Sequence, residues 1–102
     1  MLETFDCQTF TPLLGERFEV EIGEDQTATV ELVKASQYAP AQGPSYGSEF
    51  RTPFSILFRG SKDFLIRQGT YPIHHPELGR FELFIVPVIP DSSGHLYEAV
   101  FG

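Results

Sequence analysis

Apolar and polar positions alternate with period two over most of the chain, which is the signature of β-strands. Phe18, Val20 and Ile22 point one way, Glu19 and Glu21 the other. A turn follows at Gly23-Glu24-Asp25, after which Ala28, Val30 and Leu32 alternate with Thr29 and Glu31. The pattern predicts a hairpin with one wet face, as antiparallel sheets permit. A second strand group begins at Phe50, with Phe54, Ile56 and Phe58 on one face against Ser55, Leu57 and Arg59. Gly60-Ser61-Lys62-Asp63 turns the chain into a short strand, Thr70 to His75, where Pro72 fits an edge or a strand start better than a centre. Pro76-Glu77-Leu78-Gly79 reads as a tight turn, with glycine where a positive φ is needed. Phe81 to Ile89 is the strongest strand, and Asp91-Ser92-Ser93-Gly94 turns it into the last, Leu96 to Phe101.

Only the N-terminus looks helical. The Asp6 carboxylate is placed to cap a turn over Cys7 to Phe10, and Pro12 and Gly15 keep that helix short. Phe5, Phe10, Leu13 and Leu14 give it an apolar side, suited to plugging one end of a curled sheet. Residues 38–49, with two Pro, two Gly and two Ser, form the one long irregular stretch. The fold class that follows is all-β: a small antiparallel β-barrel or sandwich of about six strands with a short N-terminal helix, in a single domain over 1–102. A closed or half-open barrel is the simpler way to hide the strand edges, and a two-sheet sandwich is the alternative.

The strongest strand is apolar on both faces. Phe81, Leu83, Ile85 and Ile89 line one side and Phe84, Val86 and Val88 the other. In the last strand Leu96 and Val100 share a face, opposite Tyr97, Ala99 and Phe101. Strands covered on one side show polar residues on their backs, so this back is expected to be covered too. Either the N-terminal plug or the sheet folding over itself covers it, or it is a partner surface.

Composition narrows the function classes. The 102 residues include ten Phe, four Tyr and no Trp, far from a disordered composition. The net charge of −7 argues against nucleic acid, whose binders array Lys and Arg on one face. Residues 1–50 hold nine acids and two bases while 51–102 hold five of each, so the whole imbalance sits in the first half. Glu16, Glu19, Glu21, Glu24, Asp25 and Glu31 read as a solvated face, with a basic partner or a cation as the alternative. The lone Cys7 cannot form an internal disulfide. The acidic N-terminus lacks the marks of a secretory signal, and the longest apolar run, Leu83 to Ile89, is broken by Pro87. A membrane helix needs about 20 apolar residues. A cytoplasmic, soluble protein with no membrane partner is expected.

No catalytic constellation emerges. His74 and His75 are adjacent strand residues and so point to opposite faces, a poor start for a metal site. Cys7 has no histidine near it in sequence to make a reactive thiol, and an inert, half-buried cysteine is the simpler reading. Ser55, His74 and Asp63 could be written as a triad, yet no G-x-S-x-G elbow is present. Gly43 to Gly47 lacks the lysine of a phosphate-binding loop. Glu19 and Glu21 point the same way, on a solvated face rather than in a pocket. No cofactor, metal or catalytic residue is therefore assigned. The candidate partner surface consists of Tyr38 and Tyr46 in the 38–49 loop, whose aromatic, Gly and Ser content suits adaptable contacts, together with Phe84, Val86 and Val88. A plain connector remains the other reading of that loop.

Four stretches resemble a family of short bacterial proteins defined as a domain of unknown function. They are Phe10 to Phe18 with its Pro-Leu-Leu-Gly, Phe50 to Gly60, Gln68 to Tyr71 with His75 to Gly79 and the Phe81-to-Val88 strand, and Tyr97 to Phe101. Members of that family look like genomic neighbours of phage-tail-collar-type proteins, which implies a role in a tail-like assembly. The resemblance transfers no catalytic residue. The function expected is a small acidic, non-enzymatic binding or assembly module with a protein partner. A small ligand-binding barrel or enzyme using the 38–49 loop is the alternative, as is a homo-oligomeric subunit held by Phe84, Val86 and Val88. Truncating Phe84 to Ala separates core from interface: a stability loss of about 3–5 kcal/mol in denaturant titration marks core, and lost association with folding retained marks interface.

Overall fold

The computed structural model describes residues 5–37 and 53–101. A short helix α1 (Cys7–Phe10) continues into a 3-10 turn over Thr11–Leu13. Six strands follow: β1 (Arg17–Gly23), β2 (Gln26–Gln37), β3 (Phe54–Gly60), β4 (Gly69–His75), β5 (Gly79–Asp91) and β6 (Gly94–Phe101). They close into an antiparallel barrel in the order β1-β2-β3-β6-β5-β4, so the barrel alternative holds and the sandwich does not. The hairpin turns fall where the sequence places them. Asp25 takes a left-handed φ of 58° between β1 and β2, a conformation Asp tolerates, and Gly79 takes φ 78° after the 76–78 turn. Register shifts near Ile22, Val33 and between Val88 and Asp91 bend the strands as closure requires.

The shortest seam is β1 to β4, which pairs only Glu19 with His74 and Val20 with Ile73. In that register Pro72 would come next, facing Glu21. Having no N–H, proline cannot extend the ladder, so the seam ends there. Pro72 therefore sits at a local edge of a closed sheet, paired only with Glu82 of β5.

Alternation sends one row of each strand inward, and aromatic rings fill the lumen. Phe18, Phe54, Phe58 and Tyr97 are fully buried with Val20, Val30, Leu32, Ile56, Ile73 and Ile85. Phe54 and Phe101 stack at 4.5 Å, while Phe18 meets Phe58 edge-on at 5.2 Å. Such offset and edge contacts are the favourable ring geometries. Helix α1 plugs one end. The Asp6 carboxylate accepts the Thr9 N–H at 2.9 Å and the Asp6 N–H donates to Thr9 Oγ1 at 3.0 Å, a reciprocal cap. This holds Phe10 against Phe54 and Phe101, and Phe5 edge-on to Phe81. Leu13 is buried beside them, but Leu14 is not: at the end of the turn it faces outward, 44% exposed.

The connector 61–68 closes the other end. Its Ile66 is buried, and the Ile66 N–H donates to the Tyr97 hydroxyl at 2.8 Å inside the barrel mouth. Burial pushes the Tyr97 hydroxyl pKa up. Ile89 departs from the expected face. Beyond Val88 the β5–β6 hairpin loses its regular register, and Ile89 is 86% exposed rather than in line with Phe81.

At the turn of this hairpin the start of β6 lies close against the end of β3. A Cβ on Gly94 would lie 2.0 Å from the Gly60 carbonyl oxygen. Gly94→Ala must push the strands apart and should cost about 3 kcal/mol, the upper part of the overpacking range. Gly79→Ala meets nothing within 4 Å and should cost only the left-handed backbone penalty of about 1–2 kcal/mol. Urea unfolding of the two variants side by side checks the order.

Candidate functional site

With the lumen filled, outward rows carry whatever the protein presents to others. On β5 these are Phe84, Val86 and Val88; on β6, Leu96, Glu98 and Val100. Val86 pairs with Glu98 and Val88 with Leu96. On its other side β6 pairs with β3, setting Glu98 beside Leu57. The three strands thus share an apolar outer face, with Phe84 49%, Val88 37% and Val100 57% exposed. Among the described residues the expected cover is not there. Helix α1 and its phenylalanines contact inward residues at the barrel end, and the sheet closes on itself with this face outside. Phe84 is therefore not core. Of the other expected surface residues, Tyr38 and Tyr46 lie outside the described residues, as does the whole 38–49 loop.

Sequence reasoning grouped Leu96 with Val100 but could not join them to Val86 and Val88. It missed Leu57 and Glu98 as members of the face. Their membership depends on which strands become neighbours, and β3 reaches β6 across more than thirty residues of chain. An exposed period-two row in each strand was the only available signal.

The histidines behave as adjacent strand residues must. His75 points inward, its side chain 1% exposed, its ring 4.5 Å from that of Phe18. Nδ1 accepts the Glu77 N–H at 3.1 Å, so the proton sits on Nε2, which donates to Glu16 Oε1 at 2.7 Å. The buried imidazole is satisfied at both nitrogens and braces the β4–β5 turn. His74 points outward and meets Glu21, which also accepts from Arg80 Nε at 3.2 Å. These contacts, the His74 hydrogen bond foremost, hold the Glu21 carboxyl below its ordinary range. Glu19 accepts from the Thr29 hydroxyl at 2.7 Å across the β1–β2 ladder. Glu19 and Glu21 of the acidic row are thus held in cross-strand contacts on the barrel wall.

Ser55 and His74 lie on strands that are not neighbours in the ring, and Asp63 lies in the connector, so the triad is not assembled. Cys7 is buried beside Thr11. Among the described residues no group of three or more His, Cys, Asp or Glu is placed to hold a metal ion, and no helix is long and apolar enough to cross a membrane. A cleft of about 590 Å³ forms an open groove at the mouth closed by Ile66, lined by Ile22, Ala28, Val30, Phe64 and Tyr97 among others. A clamp secures the β5–β6 hairpin beside the apolar face. Arg59 Nε and Nη2 donate to Asp91 Oδ2 at 3.1 and 2.7 Å, and Asp91 Oδ1 accepts the N–H groups of Ser93 and Gly94.

These features define a class: a small antiparallel six-stranded barrel, filled with aromatic side chains, with an apolar outer face exposed among the described residues. The chain belongs to the family described as Domain of unknown function (DUF6916), whose model matches residues 5–101. No curated protein and no solved structure matches it.

The carboxyls of Glu21 and Asp91, the latter chiefly through Arg59, both sit below their ordinary values in the fold. Each stays ionised where the unfolded chain's carboxyls already protonate. The stability they add is complete above the unfolded pKa and lost as pH falls through the lowered folded values. Thermal midpoints followed by circular dichroism from about pH 7 down to about pH 2 should show an acid limb, flatter in Glu21→Gln and Asp91→Asn.

Proposed function

We propose that this protein is a non-enzymatic binding and assembly module that docks a protein partner on the outer face of β5 and β6. The observation that carries this reading is the exposure of Phe84, Val88 and Val100 on one face of a barrel whose inside is full. Contiguous apolar surface on a soluble domain is where partners bind. Ligand-binding barrels and enzymes instead enclose a pocket with converging polar groups. Aromatic rings occupy that space here, which favours the surface reading over the ligand-binding one. Tyr38 and Tyr46 enter the proposed surface on their sequence character alone. The genomic neighbourhood that the family resemblance implies suggests the partner we favour, a tail-collar-type structural protein from the same genome. A homo-oligomeric part held by the same face is the rival reading.

Titration of such a partner against the purified barrel tests the proposal. Phe84→Ala and Val88→Ser should weaken binding at least tenfold, as loss of a buried interface anchor does. Their unfolding free energies should stay within about 1 kcal/mol of wild type, because neither side chain is core. Unchanged binding in both variants would sink the assignment. Light scattering over a dilution series separates the rival, which requires a dimer or larger species lost in Phe84→Ala.

A further inference from the structure

We infer that the partner of the β5–β6 face carries a Lys or Arg at the centre of an apolar surface, and that a second copy of this chain does not fit there. The inference rests on the docking reading above and turns on Glu98. Glu98 stands at the middle of the face, between Val86 on β5 and Leu57 on β3, with Leu96 and Val100 two residues away on its own strand. It is half-buried, and it makes no hydrogen bond or ion pair among the described residues. The nearest base in its row, Lys34 on β2, lies beyond Leu57. Arg59 in the next row is engaged by Asp91.

A carboxylate set among apolar side chains keeps its remaining hydration only while the face is bare. Docking removes that water, and an unpaired buried charge opposes association strongly. A fitting partner must bring the counter-charge with it.

A second copy does not. Two copies meeting face to face are related by a two-fold axis lying in the interface. An axis across the strands at the Glu98 row sets Glu98 against Glu98. An axis along the strands between β5 and β6 sets Glu98 against Val86. Sliding the axis over β3 does bring Lys34 opposite Glu98, but it carries Phe84 and Val86 out of the contact. The net charge of −7 adds a general repulsion between copies and attraction to a basic partner. In this arrangement Glu98 selects a partner and guards against self-pairing, as charged residues on apolar surfaces do elsewhere.

The probes are three synthetic β-hairpin peptides with one face of valines, identical except for Arg, Gln or Glu at the centre of that face. Fluorescence anisotropy against the full chain should rank Arg over Gln by about tenfold or more, with Glu weakest. Glu98→Lys should reverse the ranking, and Phe84→Ala should abolish binding of the Arg peptide, both variants keeping the wild-type thermal midpoint. Sedimentation equilibrium should find wild type monomeric. A ranking indifferent to Glu98→Lys, with binding still lost in Phe84→Ala, would overturn this inference and leave the docking reading standing. A wild-type dimer that Phe84→Ala dissociates would overturn it too. No binding by any peptide would remove the inference, and unaltered Arg-peptide binding in Phe84→Ala would count against the docking reading itself.

Discussion

Closing six short strands into a ring gives every strand two neighbours and turns one row of its side chains into a narrow lumen. A ring of this size leaves no room for both a packed interior and a ligand. The lumen must be filled, and here rings fill it: Phe18 on Phe58, Phe54 on Phe101, Phe10 across one end. The other devices serve that closure. Register shifts bend the strands, α1 and the 61–68 connector shut the ends, and glycines at 60 and 94 let β3 and β6 come together.

Polar groups that enter the interior do so fully tied. His75 is the one buried polar residue in the described core, and it has a partner on each ring nitrogen. The Tyr97 hydroxyl accepts the Ile66 N–H of the connector that seals the mouth. Both act as fasteners between distant segments: Glu16 to the β4–β5 turn, β6 to residue 66. A buried polar group left unpaired costs about 1–3 kcal/mol, which ties each segment to its place.

A filled interior moves function to the wall. Around the ring the wall is unequal. On β1, β4 and the start of β5 it carries Glu21, His74 and Arg80 in cross-strand contact, with Glu19 bonded to Thr29 of β2. On β5 and β6 it carries Phe84, Val86, Val88, Leu96 and Val100 around Glu98, whose carboxylate has no ion pair among the described residues. The first side carries carboxylates held by neighbouring strands; the second presents the carboxylate on which the proposed docking turns.

Much of this was legible in the chain. Period-two alternation located the strands, Asp6 and Pro12 delimited the helix, Gly79 marked a positive-φ turn, and adjacent histidines had to diverge. These depend on local geometry, which neighbouring residues set by themselves. The sequence also showed that Phe84, Val86 and Val88 share a side, but not whether that side is covered. Tertiary structure decided it: ring closure put the row outside, and strand order set Leu57, Glu98 and Val86 side by side. It likewise brought Glu16 to His75 and carried Ile89 past the barrel's end. Each of these depends on which distant strands pair and in what register, a property of the whole sheet that no stretch of sequence contains.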